Sequence, residues 1–405
     1  MGGGTQTNTG AFKVPEGEID ARIAAIQRCL QQAGCDALFV VQRADLFYFS
    51  GTAQNAFLFI PADDVPLLFV RQFLPRARAE SSLKEIIGIQ SVKEIPQYVM
   101  DHTGRLPSVL ACELDVLPVN DYRFYENLFQ HPRIVDGSAM VLKVRQTKSR
   151  WEIRQMKTTA EMTRSTFEYM RAIIEPGLTE MEFAGLFETY ARRLGHGGQL
   201  RIRHHLTEGY PWHVLSGKSG ALVGLLDSPA SGEGTSAAFP VGAGPKPLAA
   251  GEPVMVDLGS VKNGYHMDET RMYAIGSMPA GAADACRAAI DIHDSVLDRA
   301  APGVTADELF AHAADQAAAL GYRDSFLGLP GHQVSFIGHG IGIELIEPPI
   351  IARGKKTPLE TGMTLALEPK FVFANQFCVG IESVFEVTDS GARLISRVPV
   401  DFFVC

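Results

Sequence analysis

No apolar run in the sequence approaches the ~18 residues of a membrane-crossing helix. The opening residues, MGGGTQTNTGAF, lack the basic end and apolar core of a signal peptide. They also miss a myristoylation signal, because Gln6 stands where Ser or Thr is required. The six cysteines (Cys29, Cys35, Cys112, Cys286, Cys378 and Cys405) are scattered and form no CxxC pair, which excludes a thiol-based metal or redox motif. No GxGxxG opens a helix, so the dinucleotide-binding fingerprint is missing too. Positive charge is in short supply: 37 Lys and Arg against 46 Asp and Glu give a net charge of −9. That balance speaks against nucleic acid or an anionic membrane as partner. The expectation is a cytoplasmic protein with mostly buried thiols and a flexible tail over residues 1–14.

What is present fits a soluble globular chain, with 46% apolar and 20% charged residues. A length of 405 residues exceeds one ordinary core and predicts two domains. Residues 15–145 read as an α/β domain. A helix with Ile19, Ile23, Ile26 and Leu30 on one face stops at Gly34, and short apolar strands follow, DALFVV, the hairpin AFLFI-PADDV-PLLFV, VLACEL and IVDGS. Asp45 and Tyr48 in RADLFYFSG are placed in a packed, hydrogen-bonded loop rather than in a cleft. A charged, helix-rich stretch from about residue 139 to 173 leads into a second domain, 146–405.

The second domain carries an internal repeat. Pro176, Gly177, Thr179, Glu182, Ala191, Leu194 and Gly195 recur 126 residues later as Pro302, Gly303, Thr305, Glu308, Ala317, Leu320 and Gly321. In both copies Pro-Gly closes one helix, and Thr with Glu three residues on forms a capping box for the next. The repeat reaches two apolar strands that end in acids. Asp257 lies six residues after Gly251, and Glu368 six residues after Gly362. A second acid follows each: Asp268 after eleven residues and Glu382 after fourteen. The Asn263-Gly264 dipeptide between Asp257 and Asp268 signals a hairpin turn. Two such halves packed together bring four carboxylates to one point, where they repel unless a cation sits between them. His339, flanked by Gly338, Gly340 and Gly342, supplies an imidazole. Four carboxylates and one imidazole suit two divalent ions bridged by carboxylate and water, which is hydrolytic machinery.

The segments VDLGSVKNGYHMDETR, HGIGIELIEPP, LEP and GIESVFEVT, in that order, resemble the pita-bread metallopeptidases: methionine aminopeptidase, aminopeptidase P and prolidase. Residues 15–138 resemble the creatinase-like N-terminal domain of the Xaa-Pro branch. The resemblance implies an α/β N-terminal domain followed by a pseudo-twofold catalytic domain. It implies that Asp257 chelates one ion, that Asp268 and Glu382 bridge, and that His339 and Glu368 hold a second, with Glu368 also moving a proton. Mn²⁺ or Co²⁺ is the implied metal, with Zn²⁺ or Fe²⁺ as alternatives. The implied activity is that of an Xaa-Pro aminopeptidase or dipeptidase acting on short peptides, as a homodimer.

Three positions depart from the family pattern. Ile346 stands where a second histidine meets the substrate, Gly224 where another histidine is sought, and Gly380 where arginine precedes the last glutamate. His213 in YPWHVLSG is the first candidate for a relocated catalytic and substrate-binding group, with Tyr210 and Trp212 lining a subsite. His204, His205, Arg201, Arg203, His266 and His332 are further candidates. The Gly- and Pro-rich run 228–253 is expected as a long functional loop. Two other functions stay open: a metalloenzyme for a small non-peptide substrate, and a non-catalytic binding protein of the same fold.

Overall fold

The computed structural model describes residues 12–203, 213–226 and 228–405. The chain forms two compact units that meet in sequence between Val144 and Arg145. In the first, Glu16 and Glu18 favour the positive end of helix α1 (Glu16–Ala33), which ends on Gly34 in the left-handed conformation. Then follow β1 (Ala37–Val40), α2 (Arg43–Ser50), β2 (Ala56–Pro61), β3 (Leu67–Val70), α3 (Leu74–Glu80), β4 (Glu85–Gly88), α4 (Ile95–Thr103), β5 (Val109–Cys112), α5 (Val119–Leu128) and β6 (Arg133–Asp136). They build a six-stranded sheet in the order β4-β3-β2-β1-β5-β6. The expected hairpin is the antiparallel β2–β3 pair. Asp45 and Tyr48 are buried on α2, inside a helix where a packed loop was expected.

Helix α6 (Ser138–Gln146) carries the chain on to α7 (Arg150–Ile173), which starts with a Ser149/Glu152 capping box. The second unit continues with α8 (Glu180–Arg193), β7 (His213–Ser216), β8 (Pro253–Lys262), β9 (Tyr265–Ala274), α9 (Ala280–Arg299) and α10 (Ala306–Ala319). The remaining strands are β10 (Phe336–Gly340), β11 (Glu347–Ala352), β12 (Thr364–Leu367), β13 (Lys370–Phe373), β14 (Phe377–Gly380), β15 (Ser383–Thr388), β16 (Gly391–Leu394) and β17 (Phe403–Val404). The sheets run β17-β9-β8-β7, β11-β10-β12-β15-β16 and β13-β14.

Two similar halves make up this unit. Each has a long helix, a second helix opened by a capping box, and a strand hairpin. Thr179 caps α8 and Thr305 caps α10 in the same way. Around the caps the backbone contacts match as well. Gly177 N donates to Leu248 O, and Gly303 N donates to Leu359 O. Thr179 bridges Pro247, and Thr305 bridges Pro358. Each half has its own apolar core. One gathers Phe167, Met170, Phe183 and Phe187 against Val254 and Val256. The other gathers Ala285, Ile292, Leu309 and Phe310 against Leu365 and Phe385. Helix α7 reads as charged because Arg154, Glu161, Glu168 and Arg171 are exposed, while its inner face is partly polar. Glu152 accepts from the Tyr265 hydroxyl at 3.0 Å, and Thr163 meets Ser260 at 2.6 Å, so these two buried hydroxyls on the hairpin are satisfied.

Cys35, Cys112, Cys286 and Cys378 are buried free thiols, while Cys405 is exposed. Among the described residues no helix is long and apolar enough to cross a membrane.

Candidate metal centre

The first hairpin turns at Asn263 and Gly264, whose positive φ angles of 55° and 83° give the two-residue turn that the strand twist favours. Its register pairs Asp257 with Thr270 and Gly259 with Asp268. Directly opposed residues share a face, and so do residues two apart on one strand. Asp257, Gly259, Asp268 and Thr270 therefore lie on one side of the hairpin, and Glu269 points to the other.

The second hairpin follows the same plan with an interruption. Leu367 pairs with Ser383, and Lys370 pairs with Gly380. Glu368 and Glu382 fall in register between those pairs, in the gap where Pro369 removes a ladder donor. Strand β10 lies beside β12 with His339 opposite Ala366. The His339 Nδ1–H donates to Gly340 O at 3.0 Å, which leaves the lone pair on Nε2. Nε2 is 3.8 Å from Asp268 Oδ2 and 3.7 Å from Glu368 Oε1. The two hairpins are tied by Glu382 N donating to Thr270 O at 3.1 Å and by the Thr270 hydroxyl donating to Glu382 Oε2 at 2.8 Å.

All five sequence-predicted ligand residues thus converge. Asp268, His339 and Glu382 each bring one ligand atom within 4.8 Å of the others. A sixth residue joins them. Lys370 Nζ lies 2.9 Å from Asp257 Oδ2, 2.8 Å from Glu368 Oε2 and 3.5 Å from Glu382 Oε2. The sequence reading missed it, although the signal was there: a residue two after Glu368 on a strand shares its face.

The electrostatics follow from this crowding. Burial, then the charges of Glu382, Asp257 and Glu368, hold the Asp268 carboxyl well above its usual range. Burial, with Glu368 and Asp257, pushes Glu382 up to about 8 against the pull of Lys370. Burial also disfavours the Asp257 charge, but Lys370 and His213 outweigh it and hold that carboxyl below its usual value. One pole of the cage is neutralised by an ammonium, while the Asp268–Glu382 pole still repels itself. A divalent cation fits that pole, given its carboxylate and imidazole donors.

His213 opens β7 and pairs with Asp257 across β8. Its Nδ1 lies 3.7 Å from Asp257 Oδ2, and its buried Nε2 has no hydrogen-bond partner among the described residues. Strand β7 is held by Glu180, which accepts from Ser216 N at 2.7 Å, from the Ser216 hydroxyl at 2.7 Å and from Gly244 N at 2.9 Å. Glu180 so anchors both β7 and the 228–253 segment, whose Ala230, Val241, Ala243 and Leu248 are buried.

Other candidates fall elsewhere. His266 is fixed by backbone on both sides, with Nε2 accepting from Arg201 N at 3.1 Å and Nδ1 3.1 Å from Gly342 O. Burial lowers its pKa to about 4, so the ring is a neutral tether and not a cleft group. His332 is exposed, and Arg203 reaches 3.8 Å from the buried Glu344. Tyr210, Trp212, His204 and His205 lie outside the described residues. Ile346 is 43% exposed, and its neighbour Glu347 turns inward to Arg145 and Lys148. Gly338 and Gly340, on either side of His339, are required by the packing of the sheet. A Cβ at Gly338 would lie 2.3 Å from Ala366 O, and one at Gly340 2.4 Å from Pro348 O.

Comparison with known proteins fits this arrangement. Residues 154–389 match the family described as Metallopeptidase family M24, and residues 22–147 match the Creatinase/Prolidase N-terminal domain. The chain is 24% identical over 387 residues to an uncharacterized peptidase, YqhT, of Bacillus subtilis, covering 95% of this chain and 99% of that protein. It is 23% identical over 379 residues to an Xaa-Pro dipeptidase of Pyrococcus furiosus, covering 93% and 97%. The solved Xaa-Pro dipeptidase from Bacillus anthracis superposes with a TM-score of 0.82 at 23% identity, covering 96% of this chain and all 100% of the other, which shows the shared fold. The chain accordingly belongs to metallopeptidase family M24, with a creatinase/prolidase N-terminal domain ahead of the metallopeptidase domain.

Proposed function

We propose that this protein is a metal-dependent exopeptidase that hydrolyses short peptides of the Xaa-Pro type. The convergence of Asp257, Asp268, His339, Glu368 and Glu382 on one point, with the four acids at matched positions of two hairpins, carries the reading. A bound divalent cation supplies Lewis acidity and a water acidic enough to attack at neutral pH. Asp268, Glu382 and His339 hold that cation. Glu368 takes the proton from the attacking water and returns it to the departing amine. His213 presents Nε2 to the substrate beside Asp257. The family resemblance supports Mn²⁺ or Co²⁺ as the metal, a homodimer, and a cytoplasmic location.

A second reading, a small non-peptide substrate with a scissile C–N bond, draws on two observations. Ile346 supplies no polar contact where relatives place a histidine, and Lys370 fills part of the cage. The test is a screen of purified protein with Mn²⁺, Co²⁺ and Zn²⁺ on Xaa-Pro dipeptides and tripeptides. Turnover of those peptides supports the first reading. Metal uptake without peptide turnover moves the assignment to the second. His213→Ala is expected to lower kcat by about 100-fold or more with metal content kept. Unchanged kinetics would remove His213 from the mechanism.

A further inference from the structure

Lys370 is the feature that the metal-dependent reading does not absorb. It stands two residues after Glu368, so its side chain shares the Glu368 face, and only 2% of it is exposed. Its ammonium touches three of the four cage carboxylates, at 2.9 Å, 2.8 Å and 3.5 Å. The stem runs over Gly380, its cross-strand partner. A Cβ at Gly380 would lie 2.4 Å from Lys370 Cγ, so any larger residue there displaces the lysine. The position is thus built in pairs, a long cation on one strand and a bare backbone on the other. In the first hairpin the residue two after Asp257 is Gly259, which brings no cation to that face, and a Cβ there would lie 2.6 Å from Leu200 Cδ1.

A divalent ion held by Asp257 and Glu368 would sit about 2.0–2.2 Å from their oxygens. The ammonium already takes hydrogen-bonding positions on Asp257 Oδ2 and Glu368 Oε2. Two cations on the same pair of oxygens would repel at close range in a buried site. The other pole lies outside this conflict, since Asp268, His339 and Glu382 converge within 4.8 Å.

We propose that the cage binds a single divalent ion, on Asp268, His339 and Glu382, and that Lys370 stands in for the second ion beside Asp257 and Glu368. The centre is then mononuclear, where the ligand set by itself suggests a pair. Lys370 also brings a hydrogen-bond donor into the cage that a metal ion cannot offer. The inference rests on the metal-dependent reading of the site and is independent of the peptide substrate.

The test is metal stoichiometry. The full-length protein is stripped with a chelator, titrated with Mn²⁺ by calorimetry, desalted and assayed for manganese. Wild type is expected to hold one ion per chain and to show the resolved hyperfine spectrum of an isolated Mn²⁺ in electron paramagnetic resonance. Lys370→Ala is expected to hold two, with the broadened spectrum of an exchange-coupled pair, and Lys370→Arg to remain at one. Two ions in wild type would overturn the inference and leave the hydrolase reading standing. No uptake would overturn both. A folded Lys370→Ala protein that still holds one ion would also overturn it. If that variant does not fold, the wild-type count and spectrum decide alone.

Discussion

The two hairpins of the second unit started from one plan and diverged at the cage. The first, from Pro253 to Ala274, is an unbroken ladder with a tight two-residue turn, and it contributes two aspartates and a glycine to the shared face. The second is cut at Glu368-Pro369 and Ile381-Glu382 into a strand pair on each side, and it contributes two glutamates and a lysine. A continuous ladder offers only acids that repel. The interrupted one brings its own cation, and Gly380 leaves room for the stem. The difference teaches that a repeat can keep its acid positions while one half adds a cation of its own to them.

The largest effect is expected at the first hairpin. Asp268→Asn should abolish metal uptake, measured by metal analysis after dialysis. The metal-free variant should be at least as stable to urea as metal-free wild type. The Asp268 carboxyl is held above its usual value, so its charge costs stability at neutral pH, and the neutral isostere removes that cost. A metal-free Asp268→Asn protein clearly weaker than metal-free wild type would break the account of the cage as self-repelling.

Next comes the joint between the hairpins. Arg271 is fully buried and donates to the carbonyls of Thr270, Glu382, Val398 and Pro399 while facing Glu269 at 3.6 Å. Arg271→Ala removes a donor from each of the four carbonyls, leaving those of Glu382 and Val398 the worse off because Thr270 O keeps Glu382 N and Pro399 O keeps Asp401 N, and it leaves Glu269 without its counter-charge. A loss of about 3–5 kcal/mol in urea unfolding is expected. A loss below about 1 kcal/mol would show that the hairpins hold together without this pin.

The second half leans on buried charge in a further place. Burial opposes the charge on Glu347, but Arg145 and Lys148 outweigh burial and hold its carboxyl down at about 2. A lowered carboxylate stabilises the fold above its unfolded value and loses that contribution as pH falls through its folded value. Stability should therefore drop between about pH 4.5 and about pH 2, by up to roughly 3 kcal/mol. Urea midpoints across that range should fall less steeply for Glu347→Gln than for wild type. Parallel slopes would remove Glu347 from the acid response.

The smallest effects test what the halves still share. Thr179→Ala and Thr305→Ala each delete the same N-cap contact and should cost about 1 kcal/mol apiece. Costs that differ by more than about 1 kcal/mol would show that the caps carry unequal loads.

Much of this was legible without coordinates. The 126-residue repeat, the Asn263-Gly264 turn and the Thr-x-x-Glu boxes are local signals, set by backbone preference and short-range hydrogen bonds. They were enough to pair Asp257 with Asp268 and to match them with Glu368 and Glu382. The glycines that flank His339 are visible in sequence, but only the sheet shows that backbone carbonyls approach Gly338 and Gly340. His266 looked like a site residue in sequence and is a tether, because its partners, Arg201 and Gly342, are far from it in the chain. Glu180 gave no sign of anchoring β7, for it sits at a helix start where acids are ordinary.

By itself, then, the sequence determined the two halves, their hairpins and the five residues that line the cage, since each depends on periodicity, turn chemistry and spacing along one segment. Only the tertiary structure decided what fills the cage. Lys370 reaches Asp257 across 113 residues and Glu382 across twelve, and its place depends on a glycine on the neighbouring strand. Charge balance at a buried point is a sum over every group that folding brings there, and no single stretch of chain contains that sum.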